Sequence, residues 1–575
     1  MISFKYTCLT CLFVGTTIAR ISSIKHIQSA VSRANKVKAV GLGHSWWKEN
    51  FCAANDGVTI PIGGASDMKQ VSVNREKTLA KIGCGITIRD VLTKLEKVGY
   101  TLPTFPWYID QTLCGAIATG SHGSSLKFGS LSSEEMLLEM EVVLASGELK
   151  KISRKDDKEL FSAFAVSTGR LGVIVSVTMR IERNSRTERH VEVKSTEALI
   201  EEIDNAAKEY KKNNFRITES LMNRLDTTQF LWFLTRGDAK NAVWRARFVT
   251  RPSIAKDATA FSAAEDEYWE GKIQDFNEAN ETPENAAQRS LGRFQERLWS
   301  RSRNQNNGGL STPNVQMYQT TQYDRQPRNV EQRGEVPQLS SPSSSELVGY
   351  LLEKDWLPAQ DLSKRDALVS QRFEMSSNAP DANMYDQYEV AVPLEKAADC
   401  MRAVYAKSQE MFGNTRETIA RAGLRVPILI RIVKAEPENL LSLSYDGVKV
   451  YFNYEDYLKY SSRSQNEPNK AFREISTVLL STKCSSGRNH WGKAKDYETL
   501  AKVSHSVSKQ FSENFCSFGC AAKALDPLRK FESLWQRGWK WDSKALECGC
   551  YKDALKSEFV YDSARCGWWC GDSRF

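Results

Sequence analysis

The stretch from Asp110 to Ser124 reads Asp-Gln-Thr-Leu-Cys-Gly-Ala-Ile-Ala-Thr-Gly-Ser-His-Gly-Ser, and it places the tightest condition on the fold. Gly115, Gly120 and Gly123 alternate there with Ala116, Ala118, Thr119, Ser121 and Ser124 around His122, leaving few side chains able to build a core. Glycine gives up the most backbone freedom on folding, so such a segment is expected where a ligand approaches the main chain closely. Successive exposed N–H groups form a nest for an anion, and serine and threonine hydroxyls add donors, a combination suited to a pyrophosphate. From these residues alone the alternative is a mobile Gly/Ser loop.

A second glycine turn narrows the choice. Val37 to Leu42 reads as a short buried strand running into Gly41-Leu-Gly43, which presents His44 and Ser45 ahead of Trp46 and Trp47. No third glycine stands three places on and no helix-forming stretch follows, which argues against the Gly-x-Gly-x-x-Gly dinucleotide fingerprint.

Together these residues resemble the flavin oxidases of the vanillyl-alcohol oxidase type, specifically the sugar-lactone and alditol oxidases. The resemblance runs through Gly41 to Ser45, Ile82 to Gly85, Asp110 to Ser125 and Gly169 to Val175, weakly through 425–445, and again at His490-Trp-Gly-Lys493. It implies FAD attached covalently to His44 through its 8α-methyl group, and a pyrophosphate cradled by Thr119 to Ser125. The cofactor-binding set is then Gly41, Gly43, His44, Ser45, Gly115, Ala118, Thr119, Gly120, Ser121, His122, Gly123, Ser124, Gly172 and Ile174. The implied substrate is a sugar lactone, alditol or related alcohol, with O2 as electron acceptor. A dehydrogenase with another acceptor, a flavoprotein with a less polar substrate and a non-enzymatic secreted protein with a decayed flavin domain are the alternatives.

The periodicity agrees with an α+β fold. Helices are expected at Ser22–Asn35 and Thr87–Val98, and strands at Val37–Leu42, Val58–Ile62, Thr78–Ile82, Glu139–Leu144, Leu149–Ile152 and Gly172–Ile181. By the resemblance, these are the two subdomains of an FAD-binding domain of the PCMH type over residues 20–185. A mixed α/β cap, the substrate domain, covers 186–480. Its elements include the helices Ser195–Lys211 and Leu394–Phe412 and the strands Gln387–Val392, Val426–Val433, Leu441–Ser444 and Val448–Tyr451. Residues 302–345, rich in Asn, Gln, Ser, Pro and Arg, read as a polar surface insertion. Helices near Tyr497–Phe511 and Ala521–Phe531 return to the FAD domain over 481–535, and a Cys/Trp-rich tail fills 536–575.

The net charge of +9 is spread along 575 residues, and the basic runs Lys150–Lys158 and Arg293–Arg303 carry no aromatic interleaving, so nucleic acid is not an expected partner. Cys52, Cys84, Cys114, Cys400 and Cys484 read as small buried residues. Cys516, Cys520, Cys548, Cys550, Cys566 and Cys570 crowd the end, where an even count without histidine suggests disulfides, with zinc as the competitor. No metal ligand is assigned. Residues 6–19 follow Lys5 and end in Thr17-Ile-Ala19, a possible signal-peptidase site, which points to secretion or the ER lumen. The same segment could be the first strand of the FAD domain, and family members that are membrane-associated or mitochondrial leave those locations open. The sequence holds no apolar run long enough to span a membrane.

Removing hydride from a carbinol carbon develops alkoxide character on its oxygen, and cationic side chains suit that charge. Arg431, Lys493 and His490 are the candidates, each on a segment that carries the resemblance. Relatives read Glu-x-Arg on this strand, the Glu helping to bind the polyol, whereas here the first position is Leu429. Glu389 on a neighbouring expected strand is a second-tier candidate.

Overall fold

The computed structural model describes residues 17–45, 53, 57–232, 234, 243–251, 359–363, 385–412, 428–457, 470–485, 487–493, 507–533 and 536. The insertion at 302–345 and the tail beyond 536 therefore lie outside the described residues. Two sheets build the first domain. Strands β1 (Thr17–Ile18), β2 (Val37–Val40) and β3 (Val58–Pro61) form a small parallel sheet in the order β1-β3-β2. Helix α1 (Ile24–Arg33) connects β1 to β2; the Ser23 hydroxyl caps it by accepting from the His26 N–H, and Ile27 and Val31 are its buried stripe. The segment weighed against a cleaved leader thus contributes an edge strand, and the Ala19 N–H continues it to the Thr59 carbonyl at 3.0 Å.

The second subdomain is a five-stranded antiparallel sheet. It joins β4 (Val71–Asn74), β5 (Leu79–Gly83), β7 (Leu137–Val143), β8 (Leu149–Ser153) and β9 (Val173–Arg180) in the order β4-β5-β9-β7-β8, beside a short β6–β10 pair (Tyr100–Thr101 with Glu182–Arg183). Helix α2 (Ile88–Glu96) starts on the Thr87 cap and buries Ile88, Val91, Leu92 and Leu95. Full burial of each such side chain is worth roughly 1.5–3 kcal/mol. The small-residue stretch begins as a short helix, α3 (Leu113–Ala118), and α4 (Lys158–Ala165) packs behind it.

The cap is one eight-stranded antiparallel sheet. Its strands are β11 (Arg186–Lys194), β12 (Thr228–Trp232), β13 (Val243–Arg251), β14 (Ala359–Ser363), β15 (Tyr385–Pro393), β16 (Ile428–Val433), β17 (Lys449–Tyr457) and β18 (Arg488–Asn489), in the order β14-β11-β13-β12-β16-β17-β15-β18. Four cap helices are α5 (Thr196–Lys212), α6 (Glu219–Leu225), α7 (Leu394–Phe412) and α8 (Lys470–Leu480). Alternation divides the central strands between two cores. Ile428, Ile430, Ile432, Val450, Phe452, Val390 and Val392 pack on the cap side, while Val433, Tyr451 and Ala391 join the core of the FAD domain. Helix α9 (Val507–Leu525) returns to that first core through Phe511, Phe515 and Phe518.

Three expectations are corrected. Cys84 and Cys114 are joined in a disulfide, as are Cys400 and Cys484, so these four are not isolated buried thiols. Cys516 and Cys520 are also disulfide-bonded, whereas the later tail cysteines fall outside the described residues. Leu441–Ser444 is a turn and not a strand, because Ser442 and Ser444 spend their hydroxyls on Glu436 and Tyr451 and fold the chain back. Helix α9 ends at Leu525, where Asp526 takes the N–H groups of Lys530 and Phe531 and closes a turn in place of the helix expected through Phe531. No helix among the described residues is long and apolar enough to cross a membrane.

Candidate active site

A cleft of about 840 Å³, counting its open mouth, runs between β2, α3 and the turn at Thr168–Gly172. Gly41, Gly43, His44, Ser45, Gly115, Ala118, Thr119, Gly172 and Ile174 all line it, together with Lys38 and Cys114. A Cβ on Gly41 would meet Thr112 Oγ1 at 2.0 Å, so glycine is what lets the end of β2 lie against the start of α3. Among the described residues the lining is dominated by glycine, alanine and small hydroxyl residues, includes Lys38 and carries no carboxylate. That chemistry fits an elongated anionic dinucleotide such as FAD. Lys38 Nζ is tied to the Thr168 and Gly169 carbonyls at 2.8 and 3.2 Å, and burial, then Arg170, lowers its pKa to about 7.

His44 stands half-buried at one end of the cleft, edge-on to Tyr108 and with Nδ1 3.3 Å from the Tyr108 hydroxyl. Desolvation lowers its pKa to about 4 against the opposing pull of Asp110, so the imidazole is neutral near pH 7 and keeps a nucleophilic nitrogen.

The rest of the small-residue stretch is placed differently from the sequence expectation. Gly120, Ser121, His122, Gly123 and Ser124 do not line the cleft. Gly123 is required because a Cβ would meet the Phe105 carbonyl at 2.6 Å. The Ser124 hydroxyl takes the Ile432 N–H at 3.0 Å and donates to the Thr228 carbonyl, fastening the loop to β16 and β12. His122 turns its ring toward the cap.

That ring meets the face of the cap sheet. Register sets Leu429, Asn453 and Glu389 side by side across β16, β17 and β15, and Arg431 beside Tyr451 in the next row. Arg431 donates through Nη1 to the His122 carbonyl at 2.9 Å and through Nη2 to Glu389 Oε1. Lys493 reaches Gln387 Oε1, and Gln387 in turn donates to Asn453 Oδ1 at 3.1 Å. Burial alone would raise the Glu389 pKa, but Arg431, His122, His490 and Lys493 together hold it well below the usual carboxylate range. The anion is permanent. His122 Nε2, Glu389 Oε2, Arg431 Nε and Asn453 Nδ2 are buried without a hydrogen-bond partner among the described residues. Buried polar atoms are rarely left so, and a row of donors and acceptors on one face is what a polyhydroxyl ligand would satisfy.

The expected trio separates in role. Arg431 and Lys493 stand on this face. His490 has Nδ1 occupied by the Gly492 N–H at 3.0 Å, and the Gly120 main chain bonds the ring as well. Both nitrogens are thus used in holding the loop. The ligand atoms of His122, Glu389 and His490 lie within 4.8 Å of one another, but His490 has no lone pair to offer and Arg431 already occupies Glu389, so we assign no metal. Sequence reasoning missed Asn453, Gln387 and Tyr451; the signal was a polar side chain alternating with apolar ones, Tyr451 and Asn453 on β17 and Gln387 on β15.

Comparison with known proteins agrees with both halves of this arrangement. Residues 16–153 match the model of an FAD binding domain, and residues 372–538 match that of D-arabinono-1,4-lactone oxidase. The two matched segments of the chain are thus similar to an FAD binding domain and to a sugar-lactone oxidase. L-gulonolactone oxidase of Mus musculus is 28% identical over 214 residues, 37% of this chain and 44% of that protein. L-gulono-1,4-lactone dehydrogenase of Mycobacterium tuberculosis is 30% identical over 178 residues, 31% of this chain and 39% of that protein. The matched stretches therefore span less than half of these relatives. Cholesterol oxidase from B. sterolicum has the same fold at a TM-score of 0.58 and 13% identity, with 91% of this chain and 93% of that one covered.

Proposed function

We propose that the chain oxidises a CH–OH group of a sugar lactone, alditol or related polyol to a carbonyl, with FAD as cofactor and O2 as electron acceptor giving H2O2. The observation that carries this reading is the buried Arg431, which bridges the His122 carbonyl and the Glu389 carboxylate on a polar sheet face beside the cofactor cleft. When bound, the flavin supplies the hydride acceptor at N5. This chain's own residues do the remainder. The cleft residues from Gly41 to Ser45 and Gly115 to Thr119 would hold the cofactor, and His44 would carry it covalently. Arg431 and Lys493 stabilise negative charge developing on the substrate oxygen. Glu389 Oε2 and Asn453 Nδ2 would bind further hydroxyls, so the loss of a carboxylate at Leu429 is offset one strand and two strands away. This favours a polyhydroxyl substrate over the less polar one that Leu429 alone suggests. The name of the M. tuberculosis relative keeps a dehydrogenase acting on another acceptor as the second reading. The disulfides at Cys84–Cys114 and Cys400–Cys484 support an oxidising compartment, in line with secretion or the ER lumen.

The test is the absorption spectrum of the purified protein, then anaerobic flavin reduction and a peroxide assay over lactones and polyols. Arg431→Ala or Lys493→Ala is expected to slow reduction by about 10²–10³, with the flavin spectrum and FAD content unchanged. Full-speed reduction in both variants would remove the site from this sheet face.

A further inference from the structure

We propose that His122 is the proton acceptor of the reaction and that Glu389 stabilises the imidazolium formed, an assignment that rests on the alcohol-oxidising reading above. The tautomer comes first. His122 Nδ1 lies 2.8 Å from the Gly123 carbonyl oxygen, which can only accept, so Nδ1 carries the ring proton and the lone pair sits on Nε2. The ring is held in that orientation: it is 2% exposed, lies against Tyr451 with centroids 3.9 Å apart, and Arg431 grips its own carbonyl at 2.9 Å. Nε2 is the one nitrogen left without a hydrogen-bond partner.

The surroundings suit a group that gains a proton during turnover. Glu389 Oε1 lies 3.5 Å from His122 Nε2, so a proton arriving there meets a fixed carboxylate. Burial and then the Arg431 cation hold His122 neutral before reaction, while Glu389 pulls the other way. The base is weak by itself, but it need not form a free alkoxide. The O–H bond would break toward His122 Nε2 as the C=O bond forms, with bound oxidised flavin supplying the acceptor for the carbinol hydride. The substrate loses one proton and one hydride, and the proton later returns to solvent. The other cationic and imidazole groups cannot take this part. Lys493 and Arg431 are donors already engaged with Gln387 and Glu389, and His490 uses both ring nitrogens on main chain.

The test uses the full-length flavoprotein with ¹⁵N-labelled histidine. In the wild type, the His122 signal, identified by its loss in His122→Asn, should show an unprotonated Nε2 that shifts when a sugar lactone is added. A protonated Nε2 in the free protein overturns the assignment without reference to activity. His122→Asn keeps a donor for the Gly123 carbonyl and removes the base; anaerobic flavin reduction should slow by about 10²–10⁴ with FAD content intact. Should that variant not fold, Glu389→Gln is the second: reduction should slow at least tenfold, with an enlarged solvent isotope effect. Wild-type reduction by a lactone with His122→Asn, or failing it Glu389→Gln, equally fast sinks the proton acceptor and leaves the functional reading standing. Wild-type flavin that no lactone or polyol reduces brings both down.

Discussion

A glycine that admits a ligand and a glycine that admits another stretch of main chain leave the same mark in a sequence. Gly41, Gly115 and Gly172 line the cleft, yet a Cβ would also strike Thr112 at Gly41 and Val142 and Val143 at Gly172, while Gly123, away from the cleft, is there for the Phe105 carbonyl. His122 was assigned to the cofactor for the same reason, since nothing local says that its ring crosses to the cap. His44, which a glycine turn presents after a strand, lines the cleft. Its neutral ring at the cleft end supports attachment, since the nitrogen that bonds the flavin must hold a lone pair. We expect the peptide carrying His44 to show added flavin mass after digestion, and His44→Ala to bind FAD reversibly. A yellow preparation with that peptide unmodified would rule out the covalent bond and leave FAD binding intact.

Among the elements, those with clear periodicity were legible and those governed by side-chain hydrogen bonds were not. Helix α2 has a Thr cap and a four-residue apolar stripe, and its observed span departs little from the expected one. The turn at Leu441–Ser444 has apolar residues enough for a strand, yet Ser442 and Ser444 bind Glu436 and Tyr451 and bend it. Pairing between strands was also out of reach, which is why Leu429 read as a missing carboxylate when Glu389 stood two strands over. Strands lie about 4.8 Å apart, so the two positions are separated by roughly 10 Å with Asn453 between them. Leu429→Glu would put a second carboxylate beside Asn453 Nδ2, which has no partner among the described residues. The expected outcome is a severalfold lower KM for polyols or lactones, measured by steady-state kinetics. Loss of activity on the true substrate would show that the pocket is apolar at this point.

At the scale of the whole molecule, one loop makes many of the bonds that hold the two domains together. Ser125 bridges to Val433, the Ser130 N–H and hydroxyl bind Glu436 at 2.6 and 3.1 Å, and Asn439 Nδ2 donates to the Ser132 carbonyl at 3.0 Å. The same loop carries His122 and Ser124, so cofactor cleft and substrate face are fixed relative to each other by this seam. Its weak point is Glu438. Burial, followed by repulsion from Glu436, raises its pKa from 4.5 to about 7, although Oε1 accepts the Glu134 N–H at 3.0 Å. The folded chain therefore holds a proton that the unfolded chain has released between those two values. Stability from this group declines as pH rises through that window and stays low above it. Glu438→Gln keeps an acceptor for the Glu134 N–H and removes the titration. The variant should melt higher than the wild type near pH 8, and the difference should shrink on acidification to about pH 4.5, read by thermal unfolding at several pH values. A difference that is constant with pH would mean that Glu438 does not titrate in the seam.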